Sequence, residues 1–362
     1  MELISDRHPL VVVVGSGGVG KTTLAASMGV LSARAGRDTL VMTFDPSLRL
    51  KDALGVGEEA KNQEMPVPLD APGKLHASLL DARQTFDRLI QRYATEEDSA
   101  RRILENRFYQ QLSGTLSGIL EYMAVERLFE VEAEGKHSQV ILDTPPTRQA
   151  LDFLEAPSRI IGFLESGAIR VALKPWFDEE GRLKAASRFG PLGRQAERFL
   201  DDVVGLDLLR DMAEFFQAFA PLYEGFRERA QAVEQLLRSP KTRFVLVSGP
   251  GEERIPDTLF FARRLEQAGF HLGPIVVNRV HPHAAAEATP PSGDPCQPTG
   301  WELLSWLGER DRKGLVELAK LLRPEQPLIS IPLLPEEPTD LASLERLGRT
   351  VEELLAAFSP AR

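Results

Sequence analysis

The stretch VVVVGSGGVGKTTLAAS, Val11 to Ser27, satisfies two phosphate-binding patterns at once. Gly15, Gly17 and Gly20 spell GxGxxG, the dinucleotide fingerprint, whereas Gly15 through Thr22 spell GxxxxGK followed by Ser or Thr, the P-loop. The run before it, Pro9–Gly15, is apolar on both alternations and predicts a strand buried on both faces. KTTLAASMGVLSARAGR then predicts a helix, with Leu24, Met28 and Leu31 on one face and Gly36 as its stop. A second buried strand, Thr39–Asp45, completes a βαβ opening, which implies a parallel sheet covered by helices.

Asp45 stands where a ribose-binding acid would close the second strand of a dinucleotide fold. Three features favour the P-loop instead. Lys21 directly follows the last glycine, where a lysine reaches the β- and γ-phosphates, and Thr22 follows with a hydroxyl suited to Mg²⁺. Far along the chain, VILDT ends a buried strand in Asp143, the residue type and position of an acid that supports the metal's water shell. The loop works by aiming backbone N–H groups and a helix N-terminus at phosphate oxygens, so the expected contacts run from Gly15 through Ser16, Gly17, Gly18, Val19 and Gly20 to Lys21, Thr22 and Thr23. Gly17, Gly18 and Gly20 are expected to permit close approach and positive φ.

Further strands fit Ser138–Pro146, Thr242–Pro250, Leu272–Val280 and Leu328–Pro335, while Leu79 to Gly135 reads as helices with short breaks. Strand signals thus lie toward both ends of the chain. The expected organisation is an α/β P-loop fold with a mostly parallel central sheet flanked by helices, formed by residues 1–155 and 241–362, with a helical subdomain inserted at 156–240 and a contribution from the helices of 80–135. Within the insertion, Leu208, Met212, Phe215, Phe219, Leu222, Phe226, Ala230, Val233 and Leu237 recur at steps of three and four, an apolar stripe with Pro221 placed to kink or divide it. Packing inside the protein is favoured for that stripe over a client groove.

Composition narrows the function. Lys and Arg number 43 against 53 Asp and Glu, a formal charge of -10, and the arginines are interleaved with acids, so no nucleic-acid partner is expected. A single cysteine, Cys296, rules out an intrachain disulfide or a four-cysteine site and suggests the cytoplasm. No apolar run approaches the roughly 20 residues needed to span a bilayer, and the residues before the first strand have no cleavable-signal pattern. His281, His283 and Cys296 read as an ordinary loop rather than a metal site, because two histidines two apart lack a fourth ligand. The amphipathic C-terminal segment Asp340–Phe358 is acidic by count, which favours packing on the core over a membrane surface.

GSGGVGKTT (Gly15–Thr23), TFDPSLRLKDAL (Thr43–Leu54) and DTPPTRQALDFLEAP (Asp143–Pro157), in that order, resemble the ArsA-type or anion-transporting ATPases. These belong to the deviant-Walker-A P-loop NTPases, and their relatives include the tail-anchored-protein targeting ATPases. LSGILEYMAVERL, VSGPGEERIPDT, VVNRV and IPLLPEEP resemble further segments of the same family, so the likeness spans nearly the whole chain. The resemblance implies ATP and Mg²⁺ as cofactors, with Thr22, Asp45 and Asp143 toward the metal. Asp45 opens the segment similar to switch I, and Asp52 falls where the family has the carboxylate that orients the attacking water; a helix-start acid is the alternative reading of Asp52. Pro145, Pro146 and Thr147 match switch II, and Asn278 and Pro332 match positions near the base. A dimer across the nucleotide face is implied, with itself or with a related ATPase, acting on a protein client or a membrane-protein partner.

The departures from the family pattern matter as much. Most of the wider class carries a lysine at the second loop position, reaching across the dimer, and here that position is Ser16. Arg49 or Arg148 is then the candidate substitute cation, or hydrolysis waits for a partner that supplies one, as arginine fingers do elsewhere; a surface ion pair is the alternative for each. One cysteine cannot build the family's metalloid site, and the zinc-clamp CxxC of the targeting branch is absent from the sequence.

Overall fold

The computed structural model describes residues 7–43, 50, 54–56, 63–94, 97–110, 119–144, 155–159, 162, 211, 214–215, 218–282 and 300–358. They divide into two compact units, the first formed by Met1–Leu80, Glu130–Leu151 and Leu236–Arg362, the second by Asp81–Phe129 and Asp152–Gln235.

The first unit is built on strands β1 (Leu10–Gly15), β2 (Thr39–Thr43), β3 (Met65–Pro66), β4 (Leu75–Leu79), β5 (Gln139–Asp143), β6 (Thr242–Ser248), β7 (Leu272–Val280) and β8 (Leu328–Pro332). They form one eight-stranded sheet in the order β3-β4-β2-β5-β1-β6-β7-β8. Every pairing is parallel except β3 with β4, so the expected α/β fold with a mostly parallel sheet is the one observed. β1 lies at the centre because its six residues are buried throughout, as an uninterrupted Val run permits only where both faces are covered. The order of β1, with β5 on one side and β6 on the other, places strand ends from distant parts of the chain beside one another. Open sheets of this kind bind ligands at that edge, where the order reverses.

Two strands escaped the sequence reading. β4, LHASL, carries His76 and Ser78 inside an apolar run, and β3 is two residues long and ends in Pro66. β1 and β7 end where expected, whereas β5 ends at Asp143, β6 at Ser248 and β8 at Pro332, before the Pro146, Pro250 and Pro335 that had marked their limits.

Helix α1 (Lys21–Arg34) covers the sheet, and the C-terminal helix, Leu341–Ala357, packs against it. Asp340 caps that C-terminal helix by accepting from Ser343 N at 2.7 Å, and Leu344, Leu347, Val351 and Leu355 face the core. The fit is close: a Cβ on Gly348 would lie 2.6 Å from Leu31 Cγ. This burial accounts for the amphipathic pattern without a membrane.

In the second unit, helices Ala82–Tyr93, Glu97–Glu105 and the first part of Ile119–Glu134 share a core with Tyr223–Arg238. Phe215, Phe219, Leu222, Phe226 and Ala230 of the apolar stripe are buried in that core, with Phe86, Leu89 and Ile103, so these stripe positions pack within their own unit. Pro221 sits in a 3₁₀ turn, Ala220–Leu222, which divides the stripe as a ring without an N–H should. Leu208 and Met212 lie outside the described residues.

Candidate nucleotide site

The phosphate loop leaves β1 at Gly15 and enters α1 at Lys21. Gly15, Gly18 and Gly20 carry positive φ, whereas Gly17, expected to need it, does not. The requirement is strictest at Gly15 and Gly20. A Cβ on Gly15 would lie 2.0 Å from the carbonyl oxygen of Val247, its register partner on β6. A Cβ on Gly20, at φ 91°, would lie 2.4 Å from Nδ2 of Asn278. That amide is already committed, donating to Val19 O at 2.8 Å.

Helix α1 begins directly after left-handed Gly20, and its first internal bond runs from Leu24 N to Gly20 O at 3.0 Å. The N–H groups of Lys21, Thr22 and Thr23 precede that ladder, and with the positive end of the helix they favour an anion at the loop. Lys21 is buried and folds back over the loop, its Nζ donating to Ser16 O at 3.0 Å. Ser16 is thus part of the ring that holds the lysine, contributing its carbonyl.

Asp143 is fully buried at the end of β5. Thr22 Oγ1 donates to its Oδ2 at 2.7 Å, and Thr43 Oγ1, from β2, donates to the same oxygen at 2.8 Å. The parallel register sets Thr43 opposite Asp143, and Val13 opposite it on the other side, so the carboxylate is flanked by the ends of two strands. A buried carboxylate needs such partners, because an unpaired charge away from water is strongly unfavourable. A hydroxyl held against a carboxylate is a hard-oxygen donor set, and together with the anion-directed loop it fits a magnesium-bound phosphate. Among the described residues, no group of three or more His, Cys, Asp or Glu offers an alternative metal centre.

The structure therefore brings together Gly15 to Thr23 and Asp143 on one edge of the sheet, with Asn278 bonded directly to the loop. Pro332 ends β8 and is exposed, paired in register with Val280. Asp45, Arg49, Asp52 and Arg148 lie outside the described residues, as do Pro145, Pro146, Thr147, His283 and Cys296. His281 is taken up by the fold, its Nδ1 2.7 Å from Oδ2 of the buried Asp311. Two contributors were missed in the sequence. Thr43 opens the TFDPSLRLKDAL segment but was given no role of its own, although its place at a strand end beside the acid was a usable signal. Arg279, next to Asn278, adopts φ 62° and reaches Gly18 O with Nη1 at 3.3 Å, a contact across 261 positions.

The model of the anion-transporting ATPase family matches residues 8–353. The chain belongs to this family. Similarity to individual members runs almost end to end. A protein of Aquifex aeolicus, provisionally named arsenical pump-driving ATPase 1, is 25% identical over 351 residues, covering 94% of this chain and 78% of its own. ATPase GET3 of Malassezia globosa is 27% identical over 349 residues, 96% of this chain and 90% of its own. ATPase GET3 of Chaetomium globosum is 25% identical over 365 residues, 99% and 94% respectively. This anion-transporting ATPase family member is accordingly an ATPase, with ATP as the nucleotide used. No helix among its described residues is long and apolar enough to cross a membrane.

Proposed function

We propose that this family member is a Mg²⁺-dependent ATPase that dimerises across its nucleotide face and uses the alternation between nucleotide-bound and released forms to act on a protein client or membrane-protein partner. The observation that carries the reading is the convergence of Lys21, Thr22 and Asp143 on the loop, two of them hydrogen-bonded across 121 positions. Lys21 would turn from Ser16 O to the β- and γ-phosphate oxygens, and the N–H groups of Gly20 to Thr23 would hold the inner phosphates. When bound, magnesium would offset the negative charge that develops on the phosphates. Thr22 would hold it directly and Asp143 through its water shell, with Asp45 beside them. Asp52 would hold one water in line for attack.

The core at 1–155 and 241–362 would carry the nucleotide, with 156–240 as the inserted helical subdomain to which the helices of 80–135 contribute. Ser16 supports slow turnover in isolation, because a serine side chain supplies no cation where most of the wider class has a lysine. Arg49, Arg148 or a related, non-identical subunit would supply that charge. The same serine supports a second reading, a subunit that binds ATP to switch assembly without useful hydrolysis. The lone cysteine in the sequence gives no support to metalloid pumping.

Single-turnover hydrolysis and native mass with and without ATP·Mg²⁺ test the proposal. Loss of turnover in Lys21→Ala and Asp52→Asn, with an ATP-dependent rise in mass, is the expected result. Near-zero rates shared by parent and Asp52→Asn would select the scaffold. Fast turnover by a homodimer, unchanged by Arg49→Ala or Arg148→Ala, would remove the need for a substitute cation.

A further inference from the structure

Beside the phosphate loop, on the side of Gly17 and Gly18, lies a cavity of about 230 Å³ whose wall includes Arg254, Arg279 and Arg310. Water takes about 30 Å³ in the liquid, so the space is ample for a hydrated phosphate. Three guanidinium groups on one small cavity are unusual in a chain of formal charge -10. Each comes from a different element: Arg254 closes the 3₁₀ turn Glu252–Arg254 after β6, Arg279 lies near the end of β7, and Arg310 lies on the helix Gly300–Leu321.

The three are held there by separate means. Arg279 is a non-glycine residue at φ 62°, a conformation that costs energy and concentrates at functional sites. The neighbouring Asn278 supports it, accepting from Arg279 N with Oδ1 at 2.9 Å while donating to Val19 O. The guanidinium is thereby turned onto the loop at Gly18 O, with its other face on the exposed Glu337. Arg310 is braced by the fully buried Asp311, 3.1 Å away, and lies over the ring of Trp306 at 5.6 Å. Asp311 also accepts from His281 N, so the exit of β7 and the helix that carries Arg310 are tied together. Arg254 has no carboxylate partner among the described residues. The one acid on the wall, Glu253, folds back over its own turn: a Cβ on Gly251 would meet its oxygens at 2.5 and 2.6 Å.

We propose that Arg254, Arg279 and Arg310 form an oxyanion site beside the Lys21 cradle, on the side of Gly17 and Gly18, that takes phosphate oxygens Lys21 does not reach. Guanidinium groups match phosphate geometry, and Arg254 is the group with charge to spare. The source is either the terminal phosphate of the nucleotide or a separate phosphate; only the first rests on the nucleotide reading above.

Calorimetric titration of the full chain with ATP, ADP and inorganic phosphate distinguishes these. If the terminal phosphate is taken, Arg254→Ala weakens ATP about tenfold and leaves ADP within about twofold, and Arg254→Lys recovers part of the loss. If a separate phosphate is taken, inorganic phosphate binds Lys21→Ala as it binds the parent, and Lys21→Ala/Arg254→Ala loses it. Unchanged binding of all three titrants in Arg254→Ala overturns the proposal, as does equal weakening of ATP and ADP with phosphate unaffected. A parent chain that binds no nucleotide would defeat the ATP reading, while the phosphate titration would still decide the cavity.

Discussion

Substitution of Gly20 by alanine tests how tightly the loop is coupled to β7. Two costs add. An L-residue in the left-handed region is disfavoured by about 1–2 kcal/mol, and Gly20 holds φ 91°. The new Cβ would also stand 2.4 Å from Asn278 Nδ2 and displace it from Val19 O; a hydrogen bond of this kind contributes about 0.5–1.5 kcal/mol net. Gly20→Ala should therefore lower unfolding free energy by about 1.5–3.5 kcal/mol, read from the urea midpoint at unchanged slope. The two parts separate in a cycle with Asn278→Ala. In that background the amide is gone, and Gly20→Ala should cost only the backbone share, about 1–2 kcal/mol. Strict additivity of the two substitutions, or a single-mutant cost below about 0.5 kcal/mol, would refute the coupling. A parallel ATP titration should show weaker binding for Gly20→Ala, since the N–H groups of α1 start from this residue.

Thr43→Val keeps shape but removes one of the two hydroxyls on Asp143 Oδ2, and it should destabilise by about 1–3 kcal/mol, checked by thermal or urea unfolding. Thr22→Val should instead act chiefly on magnesium dependence, so the ratio of stability loss to lost turnover should differ between the two threonines. Phe226→Ala opens the aromatic core of the second unit, where Phe226 meets Phe86, Tyr93 and Phe219; about 3–5 kcal/mol should be lost, visible as a lower midpoint for that unit. His76 has its pKa lowered by burial first and by the facing His137 second, despite the opposing pull of Glu64 and Asp38. Its neutral form is the one the fold prefers, so its stabilisation is present above the ordinary histidine value of 6.5 and is lost as pH falls through the depressed folded value. His76→Gln should flatten the fall in stability below pH about 6.5, and an unaltered acid limb in pH-dependent melts would count against this.

The parts of the molecule legible in the sequence are those whose signal is local. A Val run, a glycine turn and a helix start are adjacent in the chain, so β1, the loop and α1 could be named from one stretch. Asp143 was findable because a buried strand that ends in an acid is itself unusual. The C-terminal helix was equally plain, since Asp340 and its apolar period announce start and face together. β4 was not legible, because His76 and Ser78 interrupt the pattern and Ser78 is buried in spite of its hydroxyl. Nor could the sequence give reasons that depend on register. Gly15 must be glycine because Val247 O lies against it, and Val247 is brought there only by the pairing of β6 with β1. Likewise Arg279 looked like any surface arginine until its backbone turned it toward Gly18.

The staple between Asn278 and Val19 has a temporal side. The glycine loop is synthesised before its partners, yet its shape depends on Asp143, on Val247 and on an amide 259 positions later. A nascent chain released before residue 278 would hold the motif in full and lack the contact that closes Gly20 into its left-handed turn. Competence to hold nucleotide is then acquired only once residue 278 has been made, and an ATP-analogue pull-down of stalled chains of increasing length should show it as a step rather than a slope.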